Sequence, residues 1–188
     1  MNPKLAYLTD QFTALIGSAA PAVAPTAVRL VATPAEAAPG SATPAPAAPV
    51  TVATPPPNSI QSVDHALKGY HLDATVTPPQ VVAAAEILDR AGFALDTITG
   101  VDWIAQHEME VVYDYFHPTS PLRVVVRARL PRANPELPTI AGVFPGANWH
   151  ERETHDFFGI RFAGHPNLKP FLLPEDADFH PLLKDYKP

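Results

Sequence analysis

The chain has 188 residues, 24 of them proline and none cysteine, with a formal net charge of −6. The missing thiols exclude disulfides, thiolate-bound zinc and a cysteine-ligated iron–sulfur cluster within it. The acidic balance, without a basic stripe, argues against nucleic acid. No apolar run approaches the ~20 residues needed to cross a bilayer, so direct membrane insertion is not expected. Asp10 interrupts the stretch that a signal peptide would need.

In chain order, Leu5, Leu8, Phe12, Leu15 and Ile16 fall at helical spacing and predict a short amphipathic helix within residues 1–17. So short a helix is marginal alone, and is expected to fray or to dock on a partner. Residues 18–58 hold 14 Ala and 10 Pro but two charges, Arg29 and Glu36. Proline removes N–H donors and restricts the residue before it, while alanine buries too little to offset chain entropy, so this segment reads as a disordered linker. An α+β domain is expected over 59–162. Tyr70–Thr77 should be a strand, Pro78-Pro79 should open a helix ending at Gly92, and Phe93–Trp103 should be a strand bent at Gly100.

Met109–Phe116 and Leu122–Leu130 predict a hairpin around His117-Pro118-Thr119-Ser120. Leu122, Val124, Val126, Ala128 and Leu130 share one face, and Arg123, Arg127 and Arg129 the other. Setting charge against charge places Asp114 opposite Arg123 and Glu110 opposite Arg127, with Val111 opposite Val126 and Tyr113 opposite Val124. The charged side reads as a solvated sheet face or, with Arg129 and Arg132 as spare positive charge, as a docking face. Pro135–Val143 reads as a short helix or turn. Asn148 is expected to cap a helix from Trp149 to Phe158, with Gly159 as its stop. Residues 163–188, broken by five prolines, should form an extended irregular tail lying along another protein. The fold class is therefore α+β: a small mixed sheet with a few packed helices, followed by that C-terminal tail.

His150, Glu151 and His155 suggest a zinc-protease helix, but the histidines are five apart and Thr154 holds the place a second ligand needs. Arg152 and Asp156 are four apart and read as a surface ion pair. The carboxylates of this region have no partner nucleophile, and no glycine-rich phosphate loop is present. Catalytic, cofactor-binding and metal residues are therefore expected to be none. His165-Pro166 and His180-Pro181 each set a ring before a fixed φ, and Lys184-Asp185-Tyr186 adds both charges and an amphipathic anchor. Each of these residues could equally serve within the chain; taken together they read as recognition chemistry.

Glu151-Arg152-Glu153, Asp156, Gly159-Ile160, His165-Pro166, Leu173-Pro174-Glu175-Asp176, His180-Pro181-Leu182 and Lys184-Asp185-Tyr186 stand in a characteristic order, preceded by Phe144–Trp149. In these blocks, over residues 68–188, the sequence resembles the C subunit family of proton-pumping NADH:quinone oxidoreductase, shared with membrane-bound hydrogenase complexes. It departs at Lys169-Pro170, at Leu183, where the family carries arginine, and at His155, which looks more like the hydrogenase-associated members. Lys does not replace Arg in a bidentate contact.

The resemblance implies a non-catalytic peripheral-arm subunit that clamps the quinone-site (D-type) subunit to neighbouring iron–sulfur subunits. FMN, iron–sulfur clusters and quinone would sit elsewhere in the complex, and the chain would lie at the cytoplasmic face of the inner membrane, held there by other subunits. The implied interface residues are Glu151, Arg152, Glu153, Asp156, Gly159, His165, Pro166, Pro174, Glu175, His180, Pro181, Lys184, Asp185 and Tyr186. The alternatives are the equivalent subunit of a nickel–iron hydrogenase or formate-oxidising complex, and a free-standing adaptor.

Overall fold

A computed structural model of the chain describes residues 2–18 and 58–187. The predicted linker lies outside these except for Ser18 and Asn58. The elements are α1 (Pro3–Gly17), β1 (Ser59–Ser62), α2 (His65–Lys68), β2 (Leu72–Val76), a 3-10 turn (Pro78–Gln80), α3 (Val81–Arg90), β3 (Ala94–Trp103), β4 (Glu108–Phe116), β5 (Arg123–Pro131), β6 (Glu136–Pro138), α4 (Ala147–Phe158) and β7 (Arg161–Ala163). Five strands form a mixed sheet in the order β1-β2-β5-β4-β3, in which only β2 and β5 run parallel. A two-stranded parallel ladder joins β6 to β7. The expected α+β class is what the chain adopts.

One face of the sheet is apolar, built from Leu72, Ala74 and Val76, Val124, Val126 and Ala128, and Met109, Val111, Tyr113 and Tyr115. α3 buries Val81, Ala84, Ala85, Ile87 and Leu88. The other face carries Asp73, Glu110 and Asp114 with Arg123, Arg127 and Arg129 in ion pairs.

α1 docks on its own domain. Leu8 and Phe12 are fully buried within the fold, and Gln80 donates its side-chain N–H to the Leu15 carbonyl while its Oε1 accepts from Thr77. Tertiary burial supplies what a fifteen-residue helix lacks alone.

The hairpin forms with the expected faces, but its register is two residues away. Glu110 lies opposite Arg129, Val111 opposite Ala128, Tyr113 opposite Val126 and Phe116 opposite Arg123. Side chains alternate with period two, so a two-residue slip keeps every face intact. Cross-strand charge pairs, each about 0.2–1 kcal/mol, are too weak to choose between such registers. The connection chooses instead, closed by the His117 N–H on the Leu122 carbonyl at 2.9 Å. The expected pairs survive as diagonals: Arg123–Asp114 at 3.1 Å and Arg127–Glu110 at 3.9 Å.

Other expectations shift. Residues 136–138 are a strand, with the 139–146 segment in turns. Gly146, not Asn148, occupies the cap position of α4. The irregularity in β3 falls between Leu95 and Thr97, not at Gly100. Gly100 has another job: a Cβ there would lie 2.6 Å from the Phe158 ring, so the missing side chain lets α4 settle on β3.

Candidate functional site

The residues singled out from the sequence gather around α4 and the tail, and the tail lies along its own domain. Its fastening begins at the end of α4, where the last carbonyls of a helix have no partner within the helix. Gly159 turns the chain with φ +72° and donates to the His155 carbonyl. Its neighbouring carbonyls are satisfied from far downstream: His180 Nδ1 donates to Asp156 O at 2.8 Å, and the Leu182 N–H to Phe157 O at 3.1 Å. A Cβ on Gly159 would meet the His180 ring at 2.7 Å. The Gly159 and His180-Pro181-Leu182 blocks are thus two halves of one helix cap.

Asp156 makes the second fastening. Its Oδ2 accepts the backbone N–H groups of Phe171, Leu172 and Leu173 at 2.8, 2.7 and 3.2 Å. Burial pushes the carboxyl's pKa upward, but these three donors outweigh it and hold the group below its usual value. The expected Arg152–Asp156 ion pair does not form. Arg152 donates instead to the carbonyls of Lys169 and Pro170, at 3.0 and 2.9 Å. These are main-chain acceptors, so the departure from arginine at 169–170 leaves this contact intact.

A third fastening was missed from the sequence. Asp102, buried at the end of β3, accepts from Arg132 Nε at 2.8 Å and from the Lys184 N–H at 2.8 Å. The Arg132 hydrogen bond is the main cause of the lowered Asp102 pKa. Arg132 also reaches Asp185 at 2.6 Å. Neither expected docking cation is spare: Arg129 pairs with Glu110 and lies over the Trp103 ring at 4.4 Å. A lone carboxylate between Val101 and Trp103 in a strand was the available signal. Leu183, in place of an arginine, packs partly buried against the core.

Glu151 is fully buried. It accepts from the Ile140 N–H at 2.8 Å and from the Thr139 hydroxyl, pinning the turn before α4. Burial raises its pKa to about 7, against the pull of those two donors. His165 lies 3.8 Å away with its side chain enclosed. Its Nε2–H donates to the Asn148 carbonyl and its Nδ1 accepts from the Asn167 N–H, which is the pattern of a neutral ring. Burial lowers its pKa. Thr154 serves α4, its hydroxyl donating to the His150 carbonyl. His155 closes the same helix by donating Nδ1–H to Ile160 O at 2.9 Å.

Of the expected interface set, Glu151, Asp156, Gly159, His165 and His180 are thus committed within the chain. Pro166, Pro174, Glu175 and Lys184 are exposed, Asp185 is exposed but paired, and Glu153, Pro181 and Tyr186 are half-buried. Phe171, exposed beside Trp149, and the exposed Leu172 were not foreseen. Among the described residues no three His, Asp or Glu side chains converge as a metal site, and no helix is long and apolar enough to cross a membrane.

The family model for the 30 kDa subunit of respiratory-chain NADH dehydrogenase matches residues 74–188, which include every fastening just described. The chain belongs to this family, that of the C subunits. It is similar to the C subunit of NADH-quinone oxidoreductase from Roseiflexus sp., 41% identical over 120 residues, covering 61% of this chain and 68% of that one. The C subunit of F(420)H(2) dehydrogenase from Methanosarcina mazei is 43% identical over 94 residues, 50% of this chain and 60% of that one. A chain in the structure of the membrane-bound sulfane sulfur reductase, an archaeal respiratory membrane complex, superposes with a TM-score of 0.57 at 27% identity, over 62% of this chain and 71% of that chain.

Proposed function

We propose that this chain is a non-catalytic subunit in the peripheral arm of NADH:quinone oxidoreductase. It holds the quinone-site subunit and its iron–sulfur neighbours in register during electron transfer coupled to proton translocation. The observation that carries this is the tail: 25 residues from Gly164 to Pro188 without strand or helix among those described, yet fastened by Asp156, by Asp102 with Arg132, and by the cap at Gly159. Tunnelling between redox centres falls steeply with distance, so a complex needs a part whose work is positional. An extended segment already ordered loses less entropy on binding than a free one.

The buried polar groups support a positional role. Glu151, Asp156 and Asp102 each accept hydrogen bonds from backbone N–H groups, those of Ile140, of Phe171, Leu172 and Leu173, and of Lys184. In this reading FMN, iron–sulfur clusters and quinone are held by other subunits, and the chain lies at the cytoplasmic face of the membrane without entering it.

A second reading keeps the scaffold and changes the electron donor. It is favoured by the Methanosarcina relative and by the sulfane sulfur reductase likeness, and it includes hydrogenase-type complexes. Purifying the tagged chain with its native complex, identifying the subunits and assaying donors separates the two. NADH-dependent quinone reduction supports the first, and reduction driven by another donor supports the second. A chain that purifies without redox proteins, or alone with stoichiometric iron or flavin, contradicts both.

A further inference from the structure

Eight large apolar side chains are exposed among the described residues, and five of them, Trp149, Phe171, Leu172, Phe179 and Leu182, lie on α4 and the tail. They are organised. Trp149 and Phe171 have ring centroids 5.1 Å apart, with the Arg152 guanidinium 5.4 and 4.9 Å from the two rings. Phe179 stacks on Tyr186 at 5.6 Å. A hollow of about 40 Å³ is walled by Asp156, Pro170, Leu173, Phe179 and His180. The backbone bearing them is the backbone that Arg152, Asp156 and His180 fasten. Around Phe171–Leu173 the tail turns its main-chain N–H groups inward and leaves the Phe171 and Leu172 side chains exposed.

Charge along this edge differs from the rest of the molecule. On the sheet face Asp73, Glu108, Glu110 and Asp114 each meet an arginine. Glu175, Asp176 and Asp178 are exposed and take part in no ion pair among the described residues, and no cation lies between Lys169 and Lys184 in sequence. We infer that Trp149, Phe171, Leu172, Phe179 and Leu182 form an acid-edged apolar ridge that docks into an apolar groove with basic walls on a neighbouring subunit. This rests on the C-type subunit reading and specifies its contact.

The acid edge selects the occupant. It repels an anionic membrane surface, nucleic acid, and a second copy of itself. A protein groove lined with Lys or Arg removes apolar surface from water and pairs three carboxylates. Prior fastening concentrates affinity in a few aromatic anchors, as binding hot spots do.

The test uses the tagged full chain expressed in its own host, with complexes isolated at low and high salt. The double variant Phe171→Ser with Phe179→Ser should lower co-purified redox subunits by about tenfold or more. The triple variant Glu175→Gln, Asp176→Asn, Asp178→Asn should lower them less and flatten the salt dependence. The control Leu67→Ser, at a distant side chain 82% exposed, should leave yield unchanged. A photo-crosslinker at Phe179 should label a peptide carrying Lys or Arg in another subunit. Because these side chains face solvent, melting temperatures should stay near wild type. If the double variant unfolds, the charge variant and the crosslink still decide. Normal incorporation of the ridge variants, or a crosslink to lipid, to an acidic peptide or to a second copy, overturns the ridge and leaves the subunit reading standing. A wild-type chain that joins no redox complex overturns both.

Discussion

The β4–β5 hairpin and the C-terminal tail are held by opposite means. The hairpin is secured by area: Val111, Tyr113, Val124 and Val126 are each buried to within about one percent, and its surface ion pairs adjust to whatever register the connection sets. The tail buries few large side chains and is secured by single polar atoms, chiefly the Asp156 and Asp102 carboxylates and the His180 ring. An area-held element tolerates changes among its charges. A point-held element depends on each one, but keeps its outer face free for a partner.

A core substitution should blur this difference most. Leu130→Ala should cost about 3 kcal/mol through a cavity against the sheet, lowering protection of hairpin and tail together. Chemical denaturation with hydrogen exchange reads both. Asp156→Ala should cost about 2 kcal/mol, because a charged acceptor of three N–H groups is lost. Its exchange signature should be confined to the tail, leaving amides of 109–128 at wild-type protection relative to global stability. Equal loosening of the hairpin would mean that the two regions are not separately held.

Acidity separates the two kinds of support further. Asp156 and Asp102 are held below their usual pKa, so their contribution is complete above the unfolded value of 3.8 and fades as pH falls below it. Glu151 behaves oppositely. With a pKa raised from 4.5 to about 7, the folded state binds its proton more tightly. Its contribution is therefore full below 4.5 and is lost as pH rises through about 7. Glu151→Gln should flatten the fall in stability between pH 5 and 8 (about one to two titration widths around that value). An unchanged melting profile would contradict that assignment. Smallest of all, Arg123→Gln on the sheet's charged face should cost about 0.5 kcal/mol and leave tail exchange untouched.

The area-held parts are legible in the sequence because their signal is periodic. Alternation located both strands of the hairpin, and the Pro78-Pro79 start and Gly92 stop located α3. It could not set the register, since charge alternation is blind to a two-residue slip. β6 and β7 have three residues each and offer too short a pattern to read. The tail's residues were legible as a group by resemblance, but their direction was not. Asp156 reads as a surface partner of Arg152 when the loop that supplies its three N–H donors lies 15 residues away. His180 reads as free when the helix end it caps is 24 residues upstream. Long-range polar contacts leave no period in the sequence, and Asp102, 82 residues from the Lys184 amide it holds, leaves the least.

The tail's positional role depends on its being folded onto its own domain before any partner arrives. Hydrogen exchange of the isolated full chain tests this at four amides, those of Phe171, Leu172, Leu173 and Lys184. Slow exchange is expected at all four, with Asp156→Ala accelerating the first three and sparing Lys184, and Asp102→Ala doing the reverse. Exchange of all four at the rate of an unfolded chain, unchanged by either substitution, would contradict it.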